Sequence, residues 1–244
     1  MSAAMVLMTC MATGRARGGP PFVTDDPDPT EYKHWEIDAF ATYNHTARGD
    51  FAQLPALEVD YGLIPDVQLH AIAPLTLSRV SGGATEYGYG DTELGVKYRL
   101  VHETDVLPEI GVFPLAEVPT GDPGRGLGNG QTQFFAPLWF QKSFGKDKEW
   151  TTFGGGGFWY NPGEGNRNYY RFGWELQRDF NKYLTLGGEI YHETPMSADD
   201  HGHTAFNLGG YLNIDAHNHV LISAGRDIEG PGRFACYVAY QLTF

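Results

Sequence analysis

Apolar and polar residues alternate along most of the chain, from His34 to Phe244. The clearest segment sets four apolar residues against four polar or small ones, in alternate positions. These are Leu94, Val96, Tyr98 and Leu100 against Glu93, Gly95, Lys97 and Arg99. Successive side chains of a strand point to opposite faces, so a period of two predicts β-strands with one apolar and one polar face. Similar segments of about ten residues recur up to the C-terminus.

The connections between these segments alternate in length. The shorter ones cover 64–66, 102–106, 145–149, 178–182 and 215–218, and the longer ones cover 79–90, 119–130, 161–168 and 194–203. Bacterial outer-membrane barrels have short turns at one end and longer loops at the other. The pattern therefore predicts an all-β fold, a transmembrane antiparallel β-barrel of about twelve strands. An even number of strands brings both termini to the end that carries the short turns.

The direction of the apolar faces separates two architectures. A soluble barrel or two-sheet sandwich would bury them inside. About eight strands already enclose a space that side chains just fill, so a wider soluble barrel would contain an apolar void. In a membrane the same faces contact lipid, and each of Lys97 and Arg99 would cost roughly 2–4 kcal/mol if it faced lipid instead. We expect the apolar faces to point outward, with the soluble sandwich as the alternative.

The N-terminal part divides into two segments ahead of the barrel. Residues 1–16 contain a short apolar stretch of signal-peptide length, although no Lys or Arg precedes it. Residues 17–33 are rich in Pro and Asp and predict an extended lead-in. One hypothesis is that this lead-in enters the barrel as a plug. Residues 34–244 form the predicted barrel, located in the bacterial outer membrane.

Charged residues on the polar faces are the candidate lining of a lumen. They are Glu36, Asp38, Glu93, Lys97, Arg99, Glu109, Glu117, Arg171, Glu175 and Glu189. One interpretation is a charged path that selects solutes. The other is cross-strand ion pairing that props open or fills a narrow interior. The two interpretations are compatible.

Other chemistry has weaker support. The net charge of −13 argues against a nucleic-acid partner, because phosphates would be repelled. Asp199, Asp200, His201 and His203 cluster in one loop but lack a fixed ligand spacing, so we predict no metal and no cofactor. A lipid hydrolase would need a serine and a histidine within hydrogen-bond distance, and no G-x-S-x-G motif occurs. We therefore expect the protein not to be an enzyme.

Three stretches of the chain carry a family resemblance. They are PPFVTDDPDPTEYKHW (20–35), YGDTELGVKYRLV (89–101) and HNHVLISAGRDIEG (217–230). Together they resemble the outer-membrane transporter-like family labelled "MetA pathway of phenol degradation". The terminal YVAYQLTF, ending at Phe244, resembles the signal that the barrel-assembly machinery recognises.

The resemblance implies a porin-like outer-membrane channel for passive uptake of small, aromatic or apolar solutes. The partners expected with it are outer-membrane lipid, the assembly machinery and a small-molecule solute. The alternative, from the modest lumen and its many inward charges, is a barrel that transports nothing and instead stabilises the membrane or presents its loops. A membrane lipid hydrolase is the third hypothesis.

Overall fold

The computed structural model describes residues 19–244, and the predicted signal segment 1–16 lies outside these residues. Fourteen strand segments follow one another along the chain. They are β1 (Trp35–Thr46), β2 (Gly49–Ile64), β3 (Val67–Val80), β4 (Thr85–Tyr89), β5 (Thr92–Val101), β6 (Glu109–Val112), β7 (Leu115–Val118), β8 (Gln133–Phe144), β9 (Trp150–Tyr160), β10 (Tyr169–Asn181), β11 (Leu184–Glu193), β12 (His203–Asn213), β13 (Asn218–Glu229) and β14 (Phe234–Thr243).

These segments make a closed barrel of twelve strands, as predicted. β4 and β5 both pair with β3 and continue one strand, interrupted at Gly90 and Asp91. β6 and β7 both pair with β5 and β8 and continue another, interrupted at Phe113 and Pro114. Fourteen segments therefore count as twelve strands. β1 pairs with β14 along most of its length, which closes the sheet and leaves no long free edge.

The two faces of the wall differ as the alternation predicts. On the outer face, Val96 and Trp174 are 40% and 55% exposed. On the inner face, Lys97 is 6% exposed and Glu175 is fully buried. Apolar side chains cover an outer surface that suits lipid, and charged ones share the enclosed interior, which is the arrangement of a transmembrane barrel rather than a water-soluble one.

The connections alternate in length as predicted from 119–132 to 194–202, whereas 47–48 and 81–84 are as short as the turns at the other end. The short-turn end carries the connections 65–66, 102–108, 145–149, 182–183 and 214–217, and the long-loop end carries 47–48, 81–84, 119–132, 161–168, 194–202 and 230–233. The predicted loop 79–90 is shorter than expected, because β3 and β4 continue their pairing from Arg79 and Thr85 inward. Polar residues such as Ser78 and Glu86 belong to this hairpin, which concealed the strands in the sequence.

Helical structure is confined to a 3₁₀ turn, Pro123–Arg125, in the part of the chain that the structure describes. Asp122 caps this turn by accepting the backbone N–H of Gly124 at 2.9 Å. Within residues 19–244, no helix has the length and apolar character needed to cross a membrane.

Candidate functional site

The lead-in crosses the interior of the barrel. The backbone N–H of Thr30 donates to the side chain of Gln68 on β3, the third strand, at 2.8 Å. The backbone N–H of Thr24 donates to Glu189 on β11, the ninth strand, at 2.7 Å. Strands three and nine of twelve are diametrically opposite. The segment between these contacts therefore runs across the lumen from wall to wall.

Polar contacts hold the lead-in to the wall near β11 and β12. The carboxylate of Glu189 accepts the backbone N–H groups of Val23 and Thr24, at 2.8 and 2.7 Å. The hydroxyl of Tyr211 donates to the backbone oxygen of Pro20 at 2.7 Å. These bonds satisfy backbone groups of an irregular segment that would otherwise be buried without partners.

Ion pairs hold the lead-in to the opposite wall. Lys97 on β5 donates to Asp25 at 2.9 Å, and its ammonium also lies 3.7 Å from Asp26. Arg99 on the same face donates to Asp28 at 2.6 Å. The acidic residues of the lead-in thus neutralise the cations of this wall, and charge-assisted bonds of this kind are stronger than neutral ones.

Arg99 also ties the lumen to a turn at the short-turn end. Its guanidinium donates two bonds to one carboxylate oxygen of Asp66, at 2.9 and 2.7 Å. Partial burial would raise the pKa of Asp66, but hydrogen bonds from Arg99 and His102 outweigh it and hold that pKa below its ordinary value. The turn carboxylate therefore stays charged and keeps Arg99 in place.

The ten charged residues predicted to line the lumen lie on the inner face in separate clusters. Five are buried and five are half-buried. The buried ones are Asp38, Lys97, Glu109, Glu175 and Glu189, and the half-buried ones are Glu36, Glu93, Arg99, Glu117 and Arg171. The sequence predicted the face that they share but not the grouping, which depends on strand register.

Register sets the neighbours within these clusters. Glu175 lies directly opposite Glu189, and Glu93 directly opposite Glu117. Arg99 lies 3.5 Å from Glu109. Several carboxylates therefore face other carboxylates, and cross-strand ion pairing accounts for only part of the set.

Towards the long-loop end, Arg171 belongs to a largely buried network. Its guanidinium donates to Glu193 at 2.6 Å, and the same carboxylate lies 3.3 Å from His203. Arg233 donates to His203 at 2.5 Å and to the hydroxyl of Tyr191. The network joins β10, β11 and β12 to the connection 230–233.

An aromatic cluster on the inner wall was not predicted. It consists of Phe113, Phe135, Trp139, Trp159 and Tyr169, all buried. The rings of Phe135 and Trp159 stack with centroids 4.8 Å apart, and those of Trp159 and Tyr169 with centroids 5.8 Å apart.

The same aromatic cluster contacts a guanidinium group and contains two indole N–H groups that make no hydrogen bond within the described part of the chain. The guanidinium of Arg171 lies 5.6 Å from the ring centroid of Trp159, within range of a cation–π interaction. The indole N–H groups of Trp139 and Trp159 find no hydrogen-bond partner among residues 19–244. In β8 the alternation of apolar and polar residues is lost, because both faces of the strand carry aromatic residues. This loss could have indicated an apolar inner surface from the sequence alone.

A cavity lies at the short-turn end of the lumen. Its volume is about 530 Å³. Short-turn residues such as Lys148 and His217 line it, together with Asp28 and Thr30 of the lead-in. The lead-in therefore forms part of the inner boundary of this cavity.

Comparison with known proteins identifies the architecture. The COG4313 outer membrane channel from Pseudomonas putida F1 superposes with a TM-score of 0.68 at 18% identity, covering 89% of this chain and 99% of that one. The chain has the fold of outer-membrane β-barrels. No family model matches the chain, and no curated protein matches it in sequence.

Two porins share the same architecture. A KdgM porin solved in complex with disordered oligogalacturonate gives a TM-score of 0.59 at 11% identity, covering 86% of this chain and 99% of that one. The NanC porin gives 0.58 at 8% identity, covering 84% and 98%. At these identities the likeness concerns the fold, and the resemblance to the phenol-degradation family remains a prediction.

Proposed function

We propose that this protein is an outer-membrane channel for the passive uptake of small aromatic or apolar solutes. The observation that carries the proposal is the aromatic cluster on the inner wall. The buried, mutually stacked rings of Phe135, Trp159 and Tyr169 make this part of the inner wall apolar, which suits a flat apolar solute once the lumen opens. The fold, shared with channels and porins, supports the same role.

We further propose that the lead-in acts as a plug whose displacement opens the path. Support comes from its two anchors on opposite walls, Glu189 on one side and Lys97 with Arg99 on the other. These contacts are polar, so water can replace each of them when the segment leaves the lumen. Such a segment can leave without unfolding the barrel wall.

The test compares the whole protein with a variant lacking residues 17–33. In planar bilayers we expect the deletion to raise single-channel conductance, because it removes the chain that crosses the lumen. In liposomes we expect faster entry of a small phenol through the variant than through the intact protein. An unchanged pore would contradict the plug, and absence of both conductance and flux in the two proteins would contradict the channel.

A specific observation favours a second function. The lead-in and the paired inward charges occupy much of the lumen, which suits a barrel that transports nothing and presents its long loops to partners. The same experiment separates the two functions. If the variant lacking residues 17–33 folds and inserts but shows no conductance or flux, the non-transporting function is favoured.

A further inference from the structure

Four neighbouring strands bring one histidine and several carboxylates together on the inner wall. Register places Asp38 on β1 opposite Glu58 on β2, and Asp60 on β2 opposite His70 on β3. Directly opposed residues on one face have Cβ atoms about 4.5–5.5 Å apart, so their side chains meet. Glu93 of β5 completes the group by reaching His70 diagonally. The ring of His70 meets Phe113 of the aromatic cluster edge-on, with centroids 5.1 Å apart.

The two ring nitrogens of His70 have different surroundings. Nδ1 lies 2.8 Å from an oxygen of Asp60 and 3.5 Å from an oxygen of Glu58. Nε2 lies 2.9 Å from an oxygen of Glu93. The donor atoms that Glu58, Asp60 and His70 offer all lie within 4.8 Å of one another. Three donors at this spacing can reach a common ion placed beside Nδ1.

Burial makes this concentration of negative charge costly without a cation. Glu58, Asp60 and His70 are 7%, 3% and 6% exposed. Asp38 is 1% exposed, and one of its carboxylate oxygens lacks a hydrogen-bond partner among residues 19–244. Buried carboxylates require compensation by a cation, a proton or hydrogen-bond donors.

The lysine that shares this part of the lumen is already engaged. Lys97 makes its close ion pairs with Asp25 and Asp26 of the lead-in, at 2.9 and 3.7 Å. A small cavity of about 30 Å³ adjoins Glu58 and Asp60 between the wall and the lead-in. That volume is sufficient for one water molecule next to a bound ion.

We propose that Glu58, Asp60 and His70 bind a divalent transition-metal ion of the zinc class. Imidazole and carboxylate together suit such ions, whereas Ca²⁺ and Mg²⁺ prefer oxygen ligands alone. Three protein ligands and one water, held in the small cavity, complete a four-coordinate site. Glu93 accepts the Nε2–H of His70, which fixes the tautomer that leaves Nδ1 free for the metal. The site is independent of whether the barrel conducts solutes.

The test uses the full chain in detergent, stripped with EDTA and titrated with ZnCl₂ by calorimetry. We expect one Zn²⁺ per chain, with no comparable binding of Ca²⁺. H70Q and D60N should remove saturable binding at concentrations that saturate the wild type. E93Q should weaken it by about 10–100-fold, as loss of an orienting partner does.

Two matched variants serve as controls. His219 is also an inner-wall histidine, bonded to Asn213 at 2.7 Å, and H219Q should bind Zn²⁺ like the wild type. H201Q tests the acidic loop, and it too should leave binding unchanged. Wild-type protein that binds no Zn²⁺, H70Q that binds normally, or loss of binding in H201Q would each overturn the proposal.

A spectroscopic measurement keeps the test decisive if a variant fails to fold. X-ray absorption at the zinc edge of the loaded wild type should show oxygen ligands and one imidazole. A spectrum with no imidazole, or with two or more, would place the ion elsewhere and contradict the proposed site.

Discussion

Two buried glutamates on the inner wall show how the cost of a charge depends on its partners. Glu193 is 4% exposed, accepts a hydrogen bond from Arg171 and lies close to His203. Glu175 is fully buried, and neither of its carboxylate oxygens has a hydrogen-bond partner among residues 19–244. Its directly opposite neighbour is another carboxylate, Glu189. The first glutamate stabilises the barrel, whereas the second opposes folding.

The same substitution at the two sites should therefore act in opposite directions. Replacing Glu175 by Met keeps the length of the side chain and removes unpaired polar atoms, so we expect the free energy of unfolding to rise by about 1–3 kcal/mol. Replacing Glu193 by Met leaves the half-buried Arg171 without its partner, and we expect a loss of about 3–5 kcal/mol. Urea unfolding in detergent measures both. Equal effects of the two variants would contradict this account.

At the scale of elements, the strand β10 and the lead-in fit closely because one position lacks a side chain. A Cβ atom added at Gly173 would lie 2.0 Å from the hydroxyl oxygen of Thr24 and 3.1 Å from its Cβ. Thr24 is 1% exposed, and its side chain is too short to move aside alone. The glycine is therefore required for the lead-in to dock rather than for the strand to form.

Gly173→Ala should release the lead-in and leave the barrel intact. We expect faster hydrogen exchange in peptides covering residues 19–30, because the amides of Val23 and Thr24 lose their bonds to Glu189. Gly188→Ala is the matched control, since a Cβ there meets the flexible end of Leu208 at 2.7 Å and otherwise only the backbone oxygen of Asn207, at 3.3 Å. Unchanged exchange in Gly173→Ala would show that the docking tolerates a methyl group.

At the scale of the whole molecule, the outer wall and the turns present apolar residues to different surroundings. Val96 lies near the middle of β5 on the outer face, and Val106 lies in the connection 102–108 with 87% exposure. If lipid surrounds the barrel, a charged side chain is unfavourable at position 96 but not at position 106.

Val96→Arg should make the barrel less stable in lipid bilayers by about 2–4 kcal/mol, the cost of a cation near the bilayer midplane. Val106→Arg should leave the stability unchanged, because water surrounds the turn. Equilibrium folding into liposomes measures both variants. A small and equal effect at the two positions would argue against a lipid-facing wall.

The alternation of residue types determined much of the molecule without further information. It placed Val96 and Trp174 on the outer face and Lys97 and Glu175 on the inner one, because a period of two is a local property of strands. The recurrence of segments of about ten residues similarly indicated the number of strands. Both signals depend only on residues close together in the chain.

Only the tertiary structure decided which inner residues meet. Asp38, Glu58, His70 and Glu93 come together through the pairing of separate strands, whose register is shifted between Phe40 and Thr42. The lead-in finds Glu189 across 165 positions of sequence. Such contacts depend on barrel closure and on the exact stagger of strands, and no local pattern of residues encodes either.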